Sequence, residues 1–469
     1  MIFNSYDFLL FALVFFAVFF VLPKKLKLPF ILFSSYFFYG WWNVKFLSLI
    51  LISTVVDFFV SQKIEDSEDP KTKKIFLWIS LAVNLGILGL FKYYDFFTES
   101  FADVLNLVGM NVEPVLLGLI LPLGISFYTF QTIGYTLDVY KGKIKAERRF
   151  LNFAVFVSYF PQLVAGPIER AKNLLPQFDS AMKPTGQQFR EGLWLIAWGF
   201  FLKVVIADNL ASVVTDTYNS TRDTTGMVWM ATLAFIIQIY GDFAGYSKIA
   251  RGVSKFLGID LIQNFQQPYL ATSVSDLWRR WHMSLSVWAN DYIFFPYVFK
   301  HKNRVVFGLL LTFVIIGVWH GANWTFFVFG LWHGSMIALE HVTLKKRRKL
   351  MKKVGNLPFK MGGWAFAMFV WIVGCIFFRS QNVSQGFSFL KEFLTFDFSG
   401  LSNANAQINF FWTIVFLLII FIQNAICRYK KTEYMLSFKK GYHYLFLFTI
   451  LGFIFLFGAQ TEDFIYFQF

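Results

Sequence analysis

Six histidines punctuate a chain of 469 residues, and two of them recur in one tripeptide, Trp-His-Gly, at 319–321 and 332–334. Imidazole is the side chain that titrates nearest neutrality, so a histidine held in apolar surroundings is a candidate general base. His320 closes an apolar run at the breakable Gly321. Two readings of it compete: a base in a reaction centre, or a core histidine bonded to a carbonyl one turn away. Polar groups at membrane depth are costly, which keeps the first reading in play. His333 follows thirteen residues later. On an uninterrupted helix that offset is about 20 Å of rise and roughly 220° of rotation, so the two histidines are expected not to share a site. His333 is then structural or lines a path.

Fewer options attach to the other groups. His301, His341 and His443 fall at loop edges and are expected at the interface. Asp242, in "YGDFAGYSKIARG", closes an apolar run, where it either accepts a hydrogen bond near the site or caps the next helix. No histidine pair has the i, i+4 spacing of a metal motif, so no metal is expected. The Gly-x-Ser-x-Gly elbow and the Gly-x-x-x-x-Gly-Lys phosphate loop are both missing, which removes serine hydrolases and nucleotide hydrolases. Cys375 and Cys427 lie in apolar runs without ligand spacing and read as lipid-facing or core filler.

The elements that must position these residues are membrane helices. The chain is 57% hydrophobic and 21% aromatic with 15% charged residues, and its mean hydropathy is +0.53, too apolar for a soluble domain. Apolar runs fall at 5–22, 28–43, 44–61, 75–91, 115–132, 150–166, 190–207, 226–246, 305–319, 322–342, 361–379, 408–427 and 443–460. Runs of about 20 residues cross the roughly 30 Å of hydrocarbon as helices. The first run has no basic stretch before it and no small-residue cleavage site after it, so it is expected to stay. The expected fold is an all-α polytopic membrane protein with roughly 10–12 transmembrane helices plus re-entrant or interfacial ones, forming one membrane-embedded domain over 1–469.

The net charge of +15 lies between the runs, which fits the positive-inside rule and argues against nucleic acid. The stretch 343–360, "TLKKRRKLMKKVGNLPFK", carries eight basic residues and no acidic one, and marks a cytoplasmic point. Counting from it puts 23–29, 140–149 and 428–440 inside, and 92–114, 381–407 and the tail with Glu462 and Asp463 outside. Both termini then face out, which requires an even number of crossings. One of the thirteen runs does not span, and 150–166 is the first suspect.

One stretch differs in kind: 264–300, "NFQQPYLATSVSDLWRRWHMSLSVWANDYIFFPYVFK", mixes aromatics with Asp276, Arg279, Arg280, His282 and Asp291. It fits helices that lie at the interface or dip into the protein, or a cytoplasmic amphipathic helix without a part in chemistry.

Taken in order, "LPLGISFYTFQTIGYTLDVYKG", "YFPQLVAGPIER", "GDFAGYSKIARG", "NFQQPYLATSVSDLWRRWHMSLSVW", "VWHGANWTFFVFGLWHG" and "FFRS" resemble the membrane-bound O-acyltransferases, with spacing most like the alginate O-acetyltransferase membrane subunits. The likeness covers nearly the whole chain. It departs after Trp288, where that branch continues Phe-Arg-Asp-Tyr and this chain reads "ANDYIFFPYVFKHKNR".

The resemblance implies a multi-pass enzyme of a bacterial inner membrane, with periplasmic termini on the topology above. It takes an acetyl group from cytoplasmic acetyl-CoA, a substrate and not a bound cofactor, and passes it toward hydroxyls of an exported polysaccharide. The chain has no large external domain to hold a glycan, so a periplasmic SGNH-type partner is implied. The family's catalytic histidine maps onto His320, and its Arg-Trp-His-x-Ser-Leu histidine onto His282. A thioester is already activated, so such a site must deprotonate a hydroxyl and stabilise an oxyanion. Asn323, His282 or the indole N–H groups of Trp281 and Trp319 are candidate donors, and Asp242 and His333 complete the expected substrate contacts. Two alternatives stand: the D-alanyl transfer protein of teichoic acid modification, which draws on a carrier protein, and a transporter or channel lined by His320 and His282.

Overall fold

The computed structural model describes residues 1–164, 166–179, 182–220, 226–402, 404–435, 441–458 and 464–465. The described residues hold helices and no strand, as expected in a bilayer, where a backbone must satisfy its own hydrogen bonds. Among the described residues, six helices are long and apolar enough to cross: Val44–Asp66, Pro70–Leu107, Gly186–Tyr218, Val228–Phe256, Asn356–Arg379 and Ala404–Tyr429. The expected ten to twelve crossings are reached only if shorter apolar helices, such as Tyr6–Val21, Val305–His320 and Gly441–Phe457, cross too.

Contacts divide the chain into two compact units: 1–192 with 250–262, and 193–249 with 263–469. In the first unit, Phe11, Phe15, Phe38 and Phe160 pack ring against ring at 5.1–5.8 Å. Its polar centre is Asp57, fully buried, which accepts from Ser80 Oγ at 2.5 Å and Asn84 Nδ2 at 2.8 Å. Ser53 Oγ donates to Asn84 Oδ1 at 2.6 Å. Such bonds tie helices together where burial of apolar surface against lipid gives little gain.

Several expectations change here. The run 115–132 does not begin as a helix; the helix is Ile125–Tyr140, and Gly124 before it takes φ 72°. An added Cβ on Gly124 would sit 2.5 Å from the Leu163 carbonyl oxygen. The run 150–166 breaks at Tyr159 into Phe150–Ser158 and Phe160–Leu163. The longer piece rises about 14 Å, well short of a crossing. The stretch 92–114 is helical to Leu107, entered through a π-helical turn at Gly89–Tyr93. The basic stretch 343–360 also folds, as the helix Leu344–Val354 followed by Asn356 at the start of the next. His443 is buried within Gly441–Phe457 instead of interfacial, whereas both cysteines are buried as core filler, one of the two readings given for them. Glu462 and Asp463 lie outside the described residues.

The second unit carries the two Trp-His-Gly copies on a helical hairpin, Val305–His320 and Trp324–Val342. Gly321 is extended (φ −163°, ψ 154°), so the chain reverses between the two copies. Glycines let the two backbones meet: an added Cβ at Gly330 would overlap the carbonyl oxygen of Phe313, and one at Gly317 that of Phe326.

Candidate active site

The chemistry-bearing residues of the second unit are brought together by the hairpin and by the segment 264–300. That segment is not a free amphipathic helix. Trp278, Trp281, His282 and Leu285 are 0–4% exposed. Two devices seat it. The carboxylate of Glu340, on the second helix of the hairpin, accepts from the backbone N–H of Val274 at 3.0 Å and Ser275 at 2.9 Å, and from Ser275 Oγ at 2.6 Å. This satisfies the orphan donors at the start of the short helix Val274–Trp278. Around His282, Gln266 N donates to Arg280 O and Met283 N to Asn264 O, both at 2.9 Å. His282 between them takes φ 43°, ψ 54°, the left-handed region that non-glycine residues enter at a cost. The imidazole is thus aimed by backbone on both sides.

His320 is the last residue of its helix and is 3% exposed. Its ring lies 6.4 Å from that of His282, 5.0 Å from Trp319 and 5.2 Å from Phe378. Trp319 is in turn 5.9 Å from His282, and Phe243 closes the other side of His282 at 4.7 Å. Two imidazoles and an indole N–H therefore share one aromatic chamber. His282 lies outside the spanning helices, and burial pushes its imidazole well below the ordinary range, so it acts as a neutral group.

The 20 Å separation expected for His320 and His333 does not hold. Phe329 stands 5.9 Å from the His320 ring and 4.7 Å from the His333 ring. A straight helix underlay that expectation; the chain instead turns at Gly321–Asn323 and lays the second helix along the first. His333 is fully buried between Trp278 at 5.3 Å and Trp371 at 5.7 Å. Neither of its ring nitrogens, nor Trp278 Nε1, has a hydrogen-bond partner among the described residues. Gly374 of the facing helix leaves the space: a Cβ there would overlap His333 Nε2.

The other expected contacts are placed elsewhere. Asn323 caps the second hairpin helix, its Oδ1 accepting from Thr325 N at 2.9 Å and its Nδ2 donating to Gln381 O at 2.9 Å. Trp281 points toward Trp371 at 4.4 Å and Phe265 at 4.9 Å. Asp242 neither ends a helix nor caps one. It sits inside Val228–Phe256, 2.8 Å from Lys203 Nζ, and accepts from Ile465 N at 2.6 Å. Lys203 also meets Asp208 at 2.8 Å, and all three are buried.

Lys203 was legible in principle, as the one cation in "LWLIAWGFFLKVVIAD"; it lies in the π-helical stretch Phe201–Ala207, a departure common near functional sites. Phe243, Phe329 and Phe378 fall within the quoted stretches "GDFAGYSKIARG", "VWHGANWTFFVFGLWHG" and "FFRS", but nothing in those stretches marks these rings, among 64 phenylalanines, as chamber walls.

Comparison with known proteins agrees with this architecture. The model of MBOAT, the membrane-bound O-acyltransferase family, matches residues 145–383. A probable alginate O-acetylase of Pseudomonas putida is 35% identical over 442 residues, 91% of this chain and 89% of that one. A peptidoglycan O-acetyltransferase of Helicobacter pylori is 31% identical, over 93% and 90%. A teichoic acid D-alanyltransferase of Streptococcus thermophilus is 28% identical, over 62% and 75%.

Proposed function

The chain belongs to the membrane-bound O-acyltransferase family, and from that premise we propose that it moves an acetyl group from cytoplasmic acetyl-CoA toward hydroxyls of an exported polysaccharide, through a periplasmic SGNH-type partner. That it is an O-acyltransferase excludes the non-enzymatic transporter. The observation that carries the reading is the pairing of His320 and His282, buried rings 6.4 Å apart. A general base next to a second neutral imidazole suits attack on a thioester.

In this mechanism His320 takes the proton of the acceptor hydroxyl as its oxygen attacks the thioester carbonyl. His282 and the Trp319 indole donate to the oxyanion that forms. The tetrahedral intermediate collapses by breaking the carbon–sulfur bond, and the imidazolium returns its proton to the leaving thiolate. The products are an ester and a free thiol. Phe243, Phe329 and Phe378 line the chamber and limit competing attack by water. Basic stretches on the proposed cytoplasmic face attract the donor's phosphates.

The D-alanyl reading keeps the same chamber and changes the donor to a carrier-protein thioester; the likeness to the D-alanyltransferase is lower and spans less of the chain. The test supplies the purified protein with labelled acetyl-CoA or with D-alanylated carrier protein, with and without polysaccharide and an SGNH-type partner. Label should move from acetyl-CoA to the glycan. His320→Ala should lower that rate about 10² to 10⁴-fold, the usual loss for a missing general base. Full activity in that variant, or transfer only from the carrier protein, would refute the assignment.

A further inference from the structure

At the basic ends of the helices Asn356–Arg379 and Ala404–Tyr429 the second unit holds a groove of about 680 Å³, lined also by Leu270 and Thr272. Its walls are apolar and open to the outside: Met361 is 62% exposed, and Trp364 and Phe421 are 40% exposed each. Lys360 and Arg428 stand in the same lining, and no acidic residue does. Lys360 makes no hydrogen bond or ion pair among the described residues. Arg428 is braced by a bond of 2.6 Å from its Nη1 to Leu270 O, which leaves most of its fork of donors for a ligand.

Both helices are candidate membrane spans, so their ends lie at headgroup depth. A soluble phosphate would use the two cations but not the wall of Met361, Trp364 and Phe421. A zwitterionic lipid would use the wall but leave the excess positive charge uncompensated. We propose that the groove binds an anionic phospholipid, its phosphate between Lys360 and Arg428 and its acyl chain along Trp364 and Phe421. The lipid then braces the reaction chamber: Trp364 Nε1 donates to Tyr269 O at 2.9 Å, and the Tyr269 ring packs 6.3 Å from Trp281, the residue before His282.

The test reads lipid retention, so it succeeds or fails independently of the acyl-transfer assignment. The full chain is reconstituted in nanodiscs of phosphatidylglycerol and phosphatidylcholine, extracted into mild detergent, and its retained lipid is identified by native mass spectrometry. Phosphatidylglycerol should be retained in preference. Lys360→Gln should weaken that retention about fivefold, the effect of one basic residue near an anionic headgroup. Arg428→Gln also loses the Leu270 bond, so the decision rests on Lys360→Gln, which breaks no side-chain hydrogen bond or ion pair among the described residues. Unchanged preference in Lys360→Gln overturns the proposal. Displacement of the lipid by soluble coenzyme A or inorganic pyrophosphate overturns it as well, and assigns the two cations to a soluble phosphate ligand.

Discussion

The most unusual residue here is His333: an imidazole in full burial, both nitrogens without a partner among the described residues, wedged between Trp278, Phe329 and Trp371. A buried polar group left unsatisfied costs stability, of order 1–3 kcal/mol. An apolar isostere should remove that cost. His333→Phe is therefore expected to keep the fold and raise the thermal midpoint, while acyl transfer falls because an approaching donor loses a polar contact. Midpoint and kcat/KM measured on one preparation check this. If activity survives with the midpoint raised, His333 is packing alone, whereas a lowered midpoint means that the six-membered ring is too large for the space beside Gly374. His320 was recognisable because it ends an apolar helix beside glycine. The relation of the two histidines was not, since thirteen residues of spacing places them 20 Å apart on one helix and close together on a hairpin.

Between elements, the hairpin depends on close backbone approach. At Gly330 even a methyl group would overlap a carbonyl oxygen of the facing helix. Gly330→Ala should therefore cost about 1–3 kcal/mol, the range for overpacking a tight contact, and pull His320 away from His282. Gly86, inside Pro70–Leu88, has open space where its Cβ would be. Gly86→Ala should be stabilising by about 0.5–1 kcal/mol, as for other helix-interior glycines. Thermal unfolding of both variants separates the two mechanisms; equal effects would mean that the hairpin contact is not strained. Glycine counts alone do not rank these positions, because the difference lies in what faces them.

At the scale of the molecule, the distribution of charge bears on orientation. The helix Leu344–Val354 carries most of the basic residues of 343–360, and the positive-inside rule predicts the cytoplasmic side for it. With Cys375 and Cys427 replaced, single cysteines at positions 349 and 388 are expected to differ toward a membrane-impermeant thiol reagent on intact cells. Lys349→Cys should stay unlabelled and Ser388→Cys should label. Labelling at 349 alone would invert the topology, and with it the side from which the donor enters.

The sequence by itself determined that the chain is helical and membrane-bound, because apolar runs long enough to span have no other way to satisfy their backbone in lipid. It also singled out His320, because an imidazole closing an apolar run is rare and costly, while His282 was marked only by the likeness of its Arg-Trp-His-x-Ser-Leu stretch to the family. Tertiary structure alone decided which groups share the chamber. Asp242, expected at the site, is held by Lys203 and Ile465, and Asn323 is consumed as a helix cap. Phe243, Phe329 and Phe378, carried by the quoted stretches but not marked in them as site residues, form the chamber wall instead. The reason is that periodicity and composition report what a residue's own helix needs, whereas a site is assembled from side chains far apart in the chain, by a turn at Gly321 and by the bonds that seat 264–300 against Glu340.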